Sequence, residues 1–368
     1  MKDHLPEYFA EFLGTAIMMI IGIGAVTVMF AAATPLRTWI PSDDVRRLIT
    51  GIIFAGGATA VVLSPLGQRS GGHLNPAVTF GFWWKGQVQT RDALAYAAAQ
   101  IAGATVGVFV VAMIGGAYAQ SVQLGITIPG EGYSALTAFI AEIVITFLLV
   151  TLILFCVNNQ RFAKKTPYLA GALVAFLVFV EAPISGTSLN PARSLAPSLL
   201  TNTYADQWLY WLGPPVGAVL AVLLFGQLVA KKDRGGCAKL FHTERYRCIF
   251  LDCAYRVVKA GTVVFREGES AEYAYVVERG LLEVRKRTED GAEIVLGTLK
   301  PGDWFGEMAL LLDLLRSATV VAVEDSEIRT VTQKNFAHVI AEHPEQTRRL
   351  LEQLAERLHA TDRARAGW

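Results

Sequence analysis

The sequence predicts a membrane all-α fold, with six transmembrane helices plus two half-helices in an inverted repeat, followed by a soluble β-barrel or jelly-roll domain with flanking helices. Three observations carry this: two regions of unlike charge density, six apolar stretches near bilayer length in the first of them, and a doubled motif. The chain has 368 residues, 53% hydrophobic and 18% charged, a composition foreign to a wholly soluble protein. Residues 1–236 hold 14 Lys+Arg and 11 Asp+Glu, whereas the last 132 residues hold 19 and 21. Two solvents imply two domains: a membrane domain over 1–232, a linker over 233–238 and a soluble domain over 239–368. Net charge is small in both parts, so neither carries the basic footprint of a nucleic-acid binder. Cys156, Cys237, Cys248 and Cys253 have neither CxxC spacing nor scaffold density and read as reduced thiols.

The apolar stretches run at roughly Phe9 to Phe30, Leu48 to Leu66, Ala93 to Ile114, Leu136 to Val157, Tyr168 to Val180 and Trp208 to Ala230. Most approach the ~20 residues a spanning helix needs. Glu7 and Glu11 replace the basic start of a signal peptide, so the first stretch is expected to remain as a helix. Six spans put both termini on one side. Lys85, Arg91, Arg161, Lys164, Lys165, Lys231, Lys232 and Arg234 fall on that side, against Arg37, Arg46 and Arg47 opposite. The positive-inside bias therefore predicts a multi-pass protein of the cell membrane with both termini and the soluble domain cytoplasmic.

The chain also repeats itself. Ala10-Glu11-Phe12 with Thr15 recurs as Ala141-Glu142-Ile143 with Thr146, and Ser70-Gly71-Gly72-His73-Leu74-Asn75-Pro76-Ala77 recurs as Ser185-Gly186-Thr187-Ser188-Leu189-Asn190-Pro191-Ala192. Each copy holds three spans, an odd number, so the copies lie in opposite orientations with a pathway expected at their interface. Asn75-Pro76-Ala77 and Asn190-Pro191-Ala192 each precede a stretch too short to cross, Val78 to Trp84 and Ser194 to Leu200. Asn is a preferred N-cap and Pro suits the first helical position, which marks both as half-helices. Their N-termini would meet near the midplane, repelling cations and turning a passing hydroxyl by its oxygen, with the Asn amides free to face the pore. Non-helical backbone at this depth requires a cavity or protein around it. Glu11 and Glu142, ionisable residues inside apolar spans, are expected to accept bonds from that unwound backbone or to meet solute directly.

The doubled Asn-Pro-Ala, the paired glutamates and Arg193 resemble the aquaporins, the major intrinsic protein family, over about residues 5 to 232. The resemblance implies a right-handed six-helix bundle, one pore per protomer, a homotetramer in the lipid bilayer, and a selectivity filter at Ala55, Val178, Thr187 and Arg193. Ala55 and Val178 replace the aromatic and the His usual in water-selective members, which implies a wider ring. Ser194 stands where dedicated glycerol channels usually have Asp, and Phe54 beside Ala55 would narrow the ring if the register slipped by one. Glu181, near the outer end of the fifth span, is read as solvated rather than as part of the vestibule.

After Lys231-Lys232-Asp233-Arg234-Gly235-Gly236 the pattern becomes short β runs divided by turn residues, such as Thr262 to Phe265, Tyr273 to Val277, Leu282 to Arg285, Glu293 to Leu296 and Thr319 to Val323. Asp290-Gly291 is a hairpin turn. From about Gln333 the period turns helical, with Pro344 at a helix start and Leu350, Leu351, Leu354 and Leu358 on one face. Phe305-Gly306-Glu307-Met308-Ala309-Leu310 followed by Arg316-Ser317-Ala318-Thr319, with Gly261, Gly268 and Gly280, resembles the phosphate cassette of cyclic-nucleotide-binding domains over about residues 239 to 360. The resemblance assigns the ribose to Glu307 and the cyclic phosphate to Arg316, with Gly306, Met308, Ser317 and Ala318 lining the cassette. Asp313-Leu314-Leu315 departs from the Gly-x-Pro usual before the Arg, and Ser317 does not choose between cAMP and cGMP. No catalytic, metal-ligand or Walker-type constellation occurs, so neither an enzyme nor a cofactor is expected beyond the regulatory nucleotide; no nucleic acid is expected as a partner. The whole reads as a passive channel for water and small neutral solutes (glycerol, urea or metalloid-acid type), regulated by cyclic nucleotide. The alternative is a constitutive channel whose appended domain serves assembly, localisation or partner recruitment.

Overall fold

The computed structural model describes residues 4–229, 237–241, 249–250, 255–288 except 272, 292–332 except 313, 336, and 347–355 except 349. It divides into two compact units, residues 1–253 and 254–368. The division falls later than the 233–238 linker expected from sequence, because Ala238, Leu240 and Phe250 belong to the core of the first unit.

Among the described residues, six helices of the first unit are long and apolar enough to cross a membrane: α1 (Leu5–Phe30), α3 (Asp43–Leu63), α6 (Thr90–Ser121), α7 (Ala135–Val157), α9 (Thr166–Ser185) and α11 (Gln207–Val229). Short α2 (Leu36–Trp39) and α8 (Gln160–Ala163) lie in connections. The second span stops at Leu63 rather than Leu66, since Ser64 caps a separate helix α4 (Pro65–Ser70) and Pro65 takes its first turn. Two broken elements complete the repeat, α5 (Pro76–Trp84) and α10 (Pro191–Thr201). Close backbone crossings lock each half. A Cβ on Gly103 of α6 would lie 2.1 Å from the Phe12 carbonyl oxygen of α1, and one on Gly217 of α11 would lie 2.4 Å from the Ile143 oxygen of α7. The same glycine thus sits at the same crossing in both copies. Outward on the spans, Phe9, Ile52, Phe109, Met113, Leu136, Phe176 and others are exposed, as lipid or a neighbouring subunit requires.

The second unit is a pair of four-stranded antiparallel sheets. Strands β1 (Tyr255–Val258), β8 (Ser326–Thr332), β3 (Tyr273–Arg279) and β6 (Trp304–Phe305) form one sheet in that order; β2 (Val263–Phe265), β7 (Thr319–Ala322), β4 (Leu282–Arg287) and β5 (Glu293–Leu299) form the other. Between them Phe265, Tyr275, Val277, Leu282, Phe305 and Ile328 pack as one core, with Tyr275 stacked on Phe305 at 5.0 Å. The first sheet is covered on its other face too, where Ala274, Val276, Trp304, Val331, Phe336 and Leu350 cluster. Leu351 departs from the expected leucine face: it is 60% exposed, while Leu350 is buried and Leu354 packs beside it. Adjacent helical residues point about 100° apart, so only the i, i+4 pair shares the sheet-facing side. Asp290-Gly291, Asp313, Pro344 and Leu358 lie outside the described residues.

Candidate functional site

Asn75 and Asn190 cap the two half-helices, each side-chain oxygen accepting from the N–H two residues on (Ala77, 2.8 Å; Ala192, 3.0 Å). Pro76 and Pro191 occupy the first helical positions. Each Asn amide then reaches across to the other repeat: Asn75 Nδ2 donates to the Leu189 carbonyl (2.8 Å) and Asn190 Nδ2 to the Leu74 carbonyl (2.9 Å). One hydrogen of each amide is therefore already committed, so the asparagines are less free than the sequence suggested. Leu74 and Leu189 hold φ of +51° and +57°, a left-handed kink that a branched side chain adopts only under surrounding constraint.

That constraint is the buried acids. Glu11 accepts from the N–H groups of His73 (3.1 Å) and Leu74 (2.8 Å), from Ser70 Oγ (2.6 Å) and from Gln100 Nε2 (2.7 Å). Glu142 accepts from Ser188 (2.7 Å) and Leu189 (2.9 Å) N–H and from Ser185 Oγ (2.6 Å). Both are supports of the re-entrant loops, and charge-assisted bonds of this kind are strong in a dry interior. Tyr96 and Tyr210 donate to the carbonyls of Ser70 (2.7 Å) and Ser185 (2.6 Å), closing the same loops from the third span of each repeat. Sequence reasoning passed over this pair of anchors, although Tyr96-x6-Gly103 recurring as Tyr210-x6-Gly217 is a readable signal.

A cavity of about 360 Å3 runs between the repeats, lined among others by Asn75, Asn190, Ala55, Val178, Thr187 and Arg193. Pro76, Ala77, Pro191 and Ala192 stand behind it as the first turns of the half-helices. Phe54 lines it as well, beside Ala55. Arg193 donates Nη1 to the Gly125 carbonyl (2.6 Å) and lies 6.0 Å from the Phe54 ring centre. Glu181 is not solvated as the sequence suggested: it is 5% exposed and accepts from Thr187 Oγ1 at 2.5 Å. Ser194 is fully buried against Ser188 Oγ (2.5 Å) and Thr127 Oγ1 (2.6 Å).

In the second unit, Gly306 takes φ +73° at the start of α12 (Glu307–Leu311), and a Cβ there would lie 2.6 Å from Arg316 Nη1. Arg316 is buried, donates to the carbonyls of Gly306 (2.7 Å) and Tyr273 (2.5 Å), and packs 4.2 Å from the Phe265 ring centre. Its Nε has no hydrogen-bond partner among the described residues. Burial lowers the guanidinium from its ordinary value, with Tyr275, Glu269 and Glu307 opposing the shift. Glu307 is buried beside it, Met308 is exposed and Ala318 is buried at the foot of β7; Ser317 stands between Arg316 and Ala318. A glycine that only lack of a side chain permits, next to a buried arginine with an unused donor, is a cradle fit for an anionic group.

Cys237 is disulfide-bonded, and Cys156 is a buried free thiol. The reduced-thiol reading therefore fails for Cys237.

Head-to-head half-helices in an inverted repeat, held over a lined cavity, define a pore-forming membrane protein. The chain belongs to the major intrinsic protein family, the aquaporins, whose model matches residues 2–225, and it carries a cyclic nucleotide-binding domain matched over residues 255–343. It is 34% identical over 230 residues to the aquaporin TIP2-3 of Zea mays, covering 61% of this chain and 88% of that one. It is 35% identical over 237 residues to the aquaporin AqpM of Methanothermobacter marburgensis, covering 60% and 96%. The aquaglyceroporin structure from Plasmodium falciparum shares the fold, with a TM-score of 0.53 at 24% identity over 61% of this chain and 97% of that one. The protein is thus a channel of a family that conducts rather than catalyses.

Proposed function

We propose that the protein is a passive channel for water and small uncharged solutes of the glycerol, urea or metalloid-acid type, regulated by cAMP or cGMP. It acts as a homotetramer in the cell membrane with its termini and C-terminal domain in the cytoplasm. The observation that carries the solute reading is the unequal ring: Ala55 and Val178 give an apolar wall, and Thr187 and Arg193 a polar one. A solute with hydroxyl or amino groups along one edge and carbon along the other fits such a wall better than water alone. Arg193 and the two half-helix N-termini place fixed positive charge on the path, which rejects cations and hydronium. The second amide hydrogens of Asn75 and Asn190 serve a passing oxygen. Glu181 positions Thr187: with its proton held toward the carboxylate, the hydroxyl offers lone pairs to solute opposite the Arg193 donors.

The cradle would hold the nucleotide through Arg316 on the cyclic phosphate and Glu307 on the ribose, beside Gly306, Met308, Ser317 and Ala318. Ligand in the cradle would act on the pore through the chain that joins the two units in sequence. Stopped-flow osmotic shrinkage of proteoliposomes, with cAMP or cGMP on the domain side, tests the whole reading. A nucleotide-dependent rate lost in Arg316→Ala supports it; a fast rate indifferent to bound nucleotide defeats regulation and leaves a constitutive channel with an assembly or localisation domain. The exposed Leu311, Leu312, Leu314 and Leu315 next to the cradle are the apolar surface on which that second reading places a partner.

A further inference from the structure

The described residues just beyond the last span, 237–241 and 249–250, pack into the first unit. Leu240 N–H donates to the Gly71 carbonyl (2.9 Å), Lys239 Nζ donates to the Gln68 carbonyl (2.8 Å), and the Ala238 carbonyl lies 2.8 Å from His73 Nε2. Phe250 stacks on the His73 ring at 5.1 Å with the planes 8° apart, and meets Tyr96 edge-on at 5.9 Å. Gln68 lies in the last turn of α4, and Gly71 and His73 belong to the re-entrant loop that leads into the first half-helix, on the side of the first turns of α1, since Tyr96 meets both Phe250 and Tyr8 edge-on. The contacts are therefore made at one mouth of the pore.

The chemistry of the contacts is that of a core rather than of a passing linker. Ala238 and Lys239 are 0% and 2% exposed, and Leu240 and Phe250 join the same apolar cluster as Val62, Leu74 and Ile153. A buried lysine persists only where its ammonium is satisfied, here by a loop carbonyl that the helix end leaves open. Leu240 is itself part of the cavity wall, together with His73, Gly72 and Val62. His73 has its two ring nitrogens engaged, by Ala238 and by Thr79 Oγ1 at 3.0 Å, so neither is offered to solute. Hydrogen-bonded main chain, an apolar side chain and a fixed ammonium thus stand where solute must enter or leave.

We propose that Ala238, Lys239, Leu240 and Phe250 form an autoinhibitory plug that closes the mouth on the side of the first turns of α1, and that conduction requires its withdrawal. Closure stands on these contacts alone; release by nucleotide rests on the regulated reading above. Because the stretch joins the pore to the nucleotide-binding unit in sequence, a displacement of that unit acts on the plug directly, and the differential affinity needed for gating becomes nucleotide affinity for the plug-out state.

The test uses the full chain in proteoliposomes without nucleotide. Leu240→Ala, Phe250→Ala and the milder Lys239→Ala, each also in an Arg316→Ala background, are expected to raise the osmotic shrinkage rate several-fold per tetramer. A gain of conduction cannot come from unfolding. Acceleration in the Arg316→Ala background supports the plug even if nucleotide never changes the unmodified rate, so failure of regulation and failure of the plug are told apart. Folded variants that shrink no faster than the unmodified chain overturn it. If Leu240→Ala and Phe250→Ala do not assemble, amide exchange decides: the Leu240 N–H should exchange slowly in the unmodified chain and faster in Lys239→Ala, and an unprotected Leu240 amide overturns docking itself.

Discussion

Glu181 is the residue whose position departs furthest from its sequence reading. A carboxylate at the end of an apolar span suggests solvation, yet the acid is held inside by the Thr187 hydroxyl. Its consequence is directional, since a hydroxyl that donates to a carboxylate presents only acceptor capacity elsewhere. Glu181→Ala should release Thr187 to rotate and should shift the glycerol-to-water permeability ratio while conduction persists. Light scattering with each solute reads that ratio, and an unchanged value would remove Glu181 from the filter. Glu11 and Glu142 make a second comparison. Replacing either by Gln turns an acceptor toward a backbone N–H into a donor, and an orphaned buried group costs roughly 1–3 kcal/mol. Glu11 also holds Gln100, so Glu11→Gln should lower the melting temperature more than Glu142→Gln. Equal shifts would mean that the Gln100 bond contributes nothing.

At the level of elements, legibility followed the solvent. The spans and half-helices could be read because a bilayer forces apolar runs of fixed length, and the motif doubling assigned each half-helix its place. Strand β8 was missed because its sheet is buried on both faces: Ile328 enters one core and Val331 the other, so no period-2 alternation survives. Strand β6 was missed because two residues, Trp304 and Phe305, carry no period at all. The docked segment after Gly236 was missed because Ala238 reads as the end of a linker and Lys239 as the start of the soluble domain, and only a carbonyl 171 residues away in the chain makes Lys239 a core residue. The glycine crossings were present in the repeat but carried no pattern until helices were laid on one another. Gly103→Ala and Gly217→Ala should each force α1 from α6 or α7 from α11. Overpacking of this kind costs about 1–3 kcal/mol or more, and the loss should be similar for both because the crossings are equivalent. Thermal stability of the purified protein checks it, and tolerance of both would mean the helices shift freely.

The molecule as a whole joins a unit stabilised in lipid to one stabilised in water, each with its own apolar core. Two such units need not unfold together, and a single melting temperature is then poorly defined. Nucleotide provides the label that separates them. A ligand that binds only the folded second unit stabilises it by RT ln(1 + [L]/Kd), about 2.7 kcal/mol at a hundredfold excess over Kd. Calorimetry of the full chain in detergent or lipid should therefore show two transitions, of which saturating cAMP or cGMP raises one by several degrees. Arg316→Ala should erase that shift while leaving both transitions in place, since Arg316 touches carbonyls of its own unit only among the described residues. The other transition carries further information. If it also moves with nucleotide, in proportion to how far Leu240→Ala or Phe250→Ala lowers it, then the energy of ligand binding reaches the pore through the docked segment. If it stays fixed while the first transition shifts, the two units are energetically separate and the appended domain binds its ligand without governing conduction.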